Sequence, residues 1–184
     1  MKQTIFVFMS IVFLSLISVR PAYAAIKESD ASAMSFKDLA HYQPDRRGDR
    51  LRAYFISHNS PLADAADVFV READEHSLDW KFVAAIAGTE STFGKHIPSG
   101  SYNCWGWGIP TGAQSGVAFS SFENGIATVS EGLEKNYVQK GARTIEQIGS
   151  IYAASPRWAG NVRFFMDKIE NFTPQSPQHL EVTI

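Results

Sequence analysis

The sequence has little of what several common classes of protein depend on. It has one cysteine, Cys104, among 184 residues, so no disulfide can form within the chain and the fold must depend on its apolar core. No His, Cys and Asp cluster has metal-ligand spacing, and no Gly-rich phosphate loop follows a strand pattern. We therefore expect no metal and no cofactor, and we interpret Cys104 as a small packed thiol rather than a nucleophile.

Strong charge is also missing, and so is a second long apolar run. Lys and Arg number 17 against 19 Asp and Glu, with no basic block, so nucleic acid is not an expected partner. The one apolar run, Ile5 to Val19, follows Lys2 and precedes the small residues of Ala22-Tyr23-Ala24. This pattern is typical of a secretory signal and is too short for a spanning helix. We expect cleavage after Ala24 and export to the periplasm, cell wall or medium, with no integral membrane segment left; an uncleaved signal anchor is the alternative.

The remaining sequence predicts one mainly α-helical domain. We divide the chain into a signal (1–24), a flexible lead-in (25–45), a catalytic domain (46–173) and a C-terminal tail (174–184). No strand of useful length is evident. Helix starts are predicted at Ser60-Pro61, Asp79, Ser120 with Glu123, Thr144 with Gln147, and Ser155-Pro156.

Glu90 is the candidate catalytic residue. In the segment WKFVAAIAGTESTFG, it follows Ile86 by four residues and Ala87 by three, which places it on or beside an apolar helix face near the helix end. Burial and the negative end of the helix dipole both raise the pKa of a carboxyl there. A carboxyl protonated near neutral pH suits protonation of a glycosidic oxygen. Ser91 is expected to hydrogen-bond the acid or the substrate; the alternative is that Glu90 merely ends a helix in solvent.

Two motifs carry a family resemblance. AIAGTESTFG resembles the helix-end motif of the lysozyme-like superfamily, in which lytic transglycosylases and bacterial glucosaminidases end an apolar helix in Glu-Ser. IGSIYAASPRWAGNVRFFMDKI resembles the glucosaminidase segment Tyr-Ala-x-x-Pro-x-Tyr-Ala, except that Ser155 stands where Asp is usual. The resemblance covers roughly Asp79 to Phe172 and implies a lysozyme-like fold with a cleft facing Glu90. It also implies that Tyr152 is an active-site tyrosine and that Trp158 is a substrate-binding aromatic.

A second carboxylate is hard to find. No Asp or Glu lies between Glu90 and Glu123, whereas two-carboxylate glycosidases need a partner about 5–10 Å from the acid. Since the capping-box position of Glu123 predicts a structural role, a mechanism with a single acid fits better. Assistance by the substrate's N-acetyl group would give a hydrolase, and attack by its 6-hydroxyl would give 1,6-anhydro ends as in lytic transglycosylases. The sequence leaves both outcomes open.

A long loop, 94–119, is expected to line the cleft. It is rich in Gly, Pro, Ser and aromatics, and loops of this length are usually functional. A short hairpin is expected around Pro110 to Gly116. Of Trp105 and Trp107, one is expected in the core and the other against sugar rings, while Asn103 is expected to hydrogen-bond an acetamido group.

The function predicted from these features is glucosaminidase-like cleavage of β-1,4 bonds between N-acetylated sugars in peptidoglycan glycan strands, by a monomer. The alternatives are a lytic transglycosylase, a non-catalytic glycan-binding module, and an exported helical adaptor whose aromatics are all core.

Overall fold

The computed structural model describes residues 45–108 and 116–174, and within these ranges the protein is helical, without a β-strand. The prediction of a mainly α-helical protein is confirmed. The predicted signal, most of the lead-in, nearly all of the tail and the predicted hairpin apart from Gly116 lie outside the described residues. No described helix is long and apolar enough to cross a membrane. The helices are α1 (Arg47–Ser57), α2 (Ala66–Glu75), α3 (Phe82–Ser91), α4 (Phe122–Leu133), α5 (Ile145–Tyr152) and α6 (Trp158–Glu170), with a 3₁₀ turn (Ala63–Ala65) before α2 and a π-helical turn (Glu134–Val138) after α4.

Helix α3 is the central element. Every residue from Phe82 to Gly88 is buried, and the helix packs against α2, α4 and, most extensively, α6. The sequence explains this position, because a helix that is apolar on all sides must be covered on all sides. The sequence predicted one apolar face for this helix, but the buried surface surrounds it from Phe82 to Gly88. The helix reaches the surface only in its last turn, where Glu90 is its first exposed residue.

The predicted capping box at the start of α5 is confirmed. The backbone N–H of Gln147 donates to Thr144 Oγ1 at 3.2 Å, and the N–H of Thr144 donates to Gln147 Oε1 at 3.1 Å. These reciprocal bonds satisfy two donors that a helix start leaves unpaired. They fix where α5 begins, and so where Tyr152 ends it.

The capping box predicted for Ser120 and Glu123 is wrong by one residue. The N-cap of α4 is Ser121, whose Oγ accepts a bond from Asn124 N–H at 3.2 Å. Asn124 Oδ1 in turn accepts from Ser120 N–H at 3.4 Å. The third position of the helix is therefore Asn124. Glu123 lies in the exposed first turn, where a hydrogen bond with Ser121 lowers the pKa of its carboxyl.

At each of the two Ser-Pro pairs the chain forms a turn, and the helix begins after it. Ser60 Oγ accepts from Leu62 N–H at 3.1 Å, and Ser155 Oγ accepts from Arg157 N–H at 3.4 Å. Since each hydroxyl closes a turn two residues long, α2 and α6 begin later than the Ser-Pro pattern predicted. Ser155 thus supplies the side-chain acceptor of the turn that precedes α6.

Candidate active site

The chain turns sharply after Glu90. Thr92, Phe93 and Gly94 have φ of 53°, 59° and 80°, in the left-handed region. Phe93 N–H donates to the carbonyl of Ala87 at 3.0 Å, which closes the helix end. A β-branched residue such as Thr92 is strained in this region, and such strain is concentrated at functional sites. The turn fixes where α3 ends, one residue after Glu90.

Phe93 anchors this turn in the core. Its ring is fully buried and packs edge-on against Tyr54 and Phe165, at centroid distances of 5.5 and 5.0 Å. It also lies over Gly88, where an added Cβ would come within 2.6 Å of the ring. Gly88 is therefore required because Phe93 folds back onto α3.

Ser91 ties the end of α3 to the loop. Its buried Oγ lies 2.8 Å from the carbonyl oxygen of Cys104 and 3.0 Å from that of Ala87, and it accepts a bond from Gly94 N–H at 2.9 Å. These partners all belong to the protein. The Ser91 hydroxyl therefore holds the loop against the helix and does not hydrogen-bond Glu90.

Cys104 lies beside Ser91 and is fully buried. Burial raises the pKa of its thiol to about 12. The thiol therefore stays protonated at physiological pH, and a protonated thiol is a weak nucleophile. This agrees with its interpretation as a packed core residue.

Asn103 holds the two sides of the loop together. Its Nδ2 donates to the carbonyl oxygens of Trp107 and Val117, at 2.9 and 2.8 Å. Its Oδ1 accepts from the N–H groups of Trp107 and Trp105, at 3.0 and 3.3 Å. These four bonds use the full capacity of a side-chain amide. Asn103 is nearly buried at the cleft wall, and it shapes the wall with no bond left for an acetamido group.

The two loop tryptophans take different places. Trp105 is fully buried, and its Nε1 donates to the carbonyl of Val83 in α3 at 3.0 Å. It is the core tryptophan of the pair. Trp107 is half-buried and packs over Gly132 in α4, where it lines a separate depression with Lys135. Its ring is not among the lining residues of the cleft at Glu90, because Gly132 leaves room for it in this depression.

A cleft of about 410 Å³ lies between the end of α3 and the loop. We call it the Glu90 cleft. Glu90 is the only carboxylate among its described lining residues, so the described part of the chain brings no second carboxylate to this cleft. His96 also lines the cleft. The described lining residues are Glu90, Ser91, His96, 98–101, Asn103, Cys104, Gly106 and 116–118.

Two opposing effects act on the pKa of the Glu90 carboxyl. Burial raises its pKa, and a hydrogen bond from Trp158 Nε1 to Oε1, at 2.8 Å, lowers it; the net direction is upward. The carbonyl end of α3 acts in the same direction as burial. The residue nevertheless remains exposed at the cleft. Glu90 thus combines a raised pKa with access for a ligand.

Tyr152 and Trp158 form an aromatic pair behind Glu90. Their rings stack at a centroid distance of 4.9 Å and an angle of 28°. The hydroxyl of Tyr152 donates to the carbonyl oxygen of Trp105 at 2.6 Å, so its partner is the loop and not Glu90. Burial and then the nearby Glu90 charge raise the pKa of Tyr152 well above its ordinary value. Of the two, Trp158 is the one that hydrogen-bonds the acid.

The fold therefore gathers most of the predicted site residues around Glu90. Ser91 and Asn103 line the cleft, and Trp107 lies in the separate depression. Trp158 bonds Glu90 but is nearly buried and is not among the lining residues, so its expected role as a substrate-binding aromatic is not supported; Tyr152 stacks on it. The Trp158 contact with the acid was not predicted, because no local pattern signals a bond across 68 residues.

Among the described residues, no group of three or more His, Cys, Asp and Glu side chains could hold a metal ion. The sequence matches no protein-family model, and no curated protein gives a match to it.

Proposed function

We propose that this chain is an exported glycosidase with a lysozyme-like helical fold that cleaves β-1,4 bonds between N-acetylated sugars in peptidoglycan glycan strands. Glu90 acts as the single protein acid. The observation that carries this proposal is a cleft-exposed Glu90 whose pKa is raised by burial, in a cleft whose described lining holds no other carboxylate.

The chemistry begins with proton transfer. Protonated Glu90 delivers its proton to the glycosidic oxygen, the bond from that oxygen to the anomeric carbon breaks, and the bonding electrons stay with the departing sugar. Acid catalysis of this kind contributes about 10²–10⁴-fold. The raised pKa supports this role, because it keeps a larger fraction of Glu90 protonated at a given pH than an ordinary glutamate.

The substrate supplies the nucleophile. In a two-carboxylate enzyme a second Asp or Glu would stabilise the positive charge on the sugar or activate water. The Glu90 cleft offers none among its described residues, so the oxygen of the substrate's N-acetyl group attacks the anomeric carbon instead. Glu90, now a carboxylate, then acts as a base toward the incoming water. The products are two glycan fragments, one with a new reducing end.

A second candidate is supported by the same carboxylate count. If the 6-hydroxyl of the substrate attacks the anomeric carbon, Glu90 removes its proton and the product carries a 1,6-anhydro end. This is the lytic transglycosylase outcome, and it also needs no second protein carboxylate.

Mass spectrometry of products released from purified peptidoglycan tests the proposal. We expect fragments with reducing ends formed by addition of water. Fragments lighter by one water, with anhydro ends, would make the protein a lytic transglycosylase. If the glycan stays intact but retains the protein in a pull-down, the protein is a glycan-binding module and not an enzyme of this kind. If the glycan stays intact and does not retain the protein, both cleavage and glycan binding are contradicted.

A further inference from the structure

One hydrogen bond of the site joins a nearly buried donor to the candidate acid. Trp158 is the first residue of α6 and is only 3 % exposed. An indole has a single N–H donor, and this one donates to Oε1 of Glu90 at 2.8 Å rather than to a backbone carbonyl. A nearly buried donor is thus directed at the one carboxyl of the described cleft lining.

This bond makes the two carboxyl oxygens unequal. An oxygen that accepts an N–H bond keeps its lone pair toward the donor, so the proton of a neutral carboxyl is favoured on the other oxygen. Within residues 45–108 and 116–174, no donor forms a hydrogen bond with Oε2 of Glu90. Oε2 is therefore the oxygen available for a proton and for a ligand.

The indole is held so that it cannot easily turn away. One face stacks on Tyr152, whose hydroxyl is bonded to Trp105. The ring also lies against Gly149 of α5, where an added Cβ would come within 2.8 Å of its Cε3. Trp105 is in turn bonded to Val83 of α3. A continuous set of contacts thus runs from α3 through the loop, α5 and α6 back to the end of α3.

We propose that Trp158 is the positioning residue of the acid, because it holds Oε1 of Glu90 as a hydrogen-bond acceptor and thereby places the transferable proton on Oε2. This inference rests on the function proposed above. In the first step the proton leaves Oε2 for the glycosidic oxygen, and the electrons of the broken bond go to the departing sugar. The same N–H then stabilises the resulting carboxylate, which is the base of the second step.

The Trp158→Phe variant tests this role. Phe keeps the stacked ring but removes the N–H, so the carboxylate loses a stabilising bond. We expect the alkaline limb of the kcat/KM profile to move to higher pH and kcat to fall about tenfold or more, while KM changes little. Trp80→Phe is the matched control, because Trp80 lies outside the cleft and should leave the profile unchanged. An unshifted limb in a folded Trp158→Phe variant would overturn the proposal.

A second measurement uses the wild-type protein and does not depend on activity. We expect the indole ¹⁵N–H resonance of Trp158 to change with pH at the same midpoint as the ¹³C carboxyl resonance of Glu90. Glu90→Gln should abolish that pH dependence. If the indole resonance of Trp158 does not shift over the pH range in which Glu90 titrates, the proposal is overturned. This result holds even if Trp158→Phe fails to fold. Coupled titrations in a protein that cuts no glycan would instead keep the Trp158 contact and reject the proposed function.

Discussion

The hydroxyl of Tyr152 donates a 2.6 Å hydrogen bond to the carbonyl oxygen of Trp105, which lies 47 residues earlier in the chain. The bond joins the end of α5 to the loop that forms one side of the Glu90 cleft. The tyrosine that the family resemblance marks as active-site is therefore bonded to the backbone of a core residue. Its ring, not its hydroxyl, faces the aromatic partner of the acid.

Removal of this hydroxyl should affect stability first. We expect Tyr152→Phe to lower the free energy of unfolding by about 1 kcal/mol, because the Trp105 carbonyl loses a well-aligned donor. The pH profile of cleavage should keep its shape, since Glu90 keeps its Trp158 bond. Chemical denaturation together with rates of wall cleavage checks both expectations. Unchanged stability with a tenfold slower rate would instead give the hydroxyl the catalytic role that the resemblance implies.

Asn103 should be the most sensitive polar residue of the loop. Asn103→Ala leaves several backbone groups of the loop without their side-chain partner, and an unsatisfied buried group costs about 1–3 kcal/mol. We expect a loss of stability in that range and a large loss of cleavage, because the cleft wall loses its cross-link. Asn161→Ala, on the exposed face of α6, is the control and should change neither. Equal denaturation midpoints for the two variants would contradict this account of the loop.

The raised pKa of Glu90 sets the direction of two pH effects. Cleavage should fall as pH rises through the folded-state pKa, since only the protonated acid can donate, and that limb should lie above the ordinary value of 4.5. Stability should also fall with rising pH between 4.5 and the folded-state value, because the folded protein holds its proton longer than the unfolded chain. Rates and melting temperatures measured across this window check both. The Glu90→Gln variant gives the change in melting temperature that other groups cause. If the melting temperature of the wild type rises across this window by more than that of the variant, the upward direction of the Glu90 pKa is contradicted.

Several features of the site could be predicted because they depend on local sequence. An apolar run of small residues predicts that α3 is buried, and the first charged residue after it predicts where the helix reaches the surface. The Thr144 and Gln147 box was predictable because both partners lie within one helical turn. One bond of Asn103, from the backbone N–H of Trp105, also had a local signal, since asparagine commonly bonds the backbone two residues on. Its bond to Val117 spans 14 residues and had none.

Other features could not be predicted because they depend on small differences or on distant contacts. Ser120 and Ser121 are equally good capping residues by type, and the reach of Asn124 decides between them. The Trp158 bond to Glu90 depends on how α6 packs against α3. Trp107 lies in the separate depression and not in the Glu90 cleft because Gly132 of α4 leaves space for its ring.

The central claim is that Glu90 is the only protein acid in the reaction, and two glutamine variants test it directly. Glu90→Gln keeps the side-chain shape and an acceptor for Trp158 but cannot donate a proton. Glu123→Gln is the matched control, since Glu123 is exposed in the first turn of α4 and its pKa is lowered rather than raised.

The deciding measurement is the rate at which each variant solubilises purified peptidoglycan, with melting temperatures taken in parallel. We predict that Glu90→Gln melts no lower than the wild type and is slower by about 10²–10⁴-fold, and that Glu123→Gln retains most of the activity. A folded Glu90→Gln variant that cleaves at the wild-type rate would contradict the assignment of the acid. A folded Glu123→Gln variant as inactive as Glu90→Gln would contradict the mechanism with a single acid.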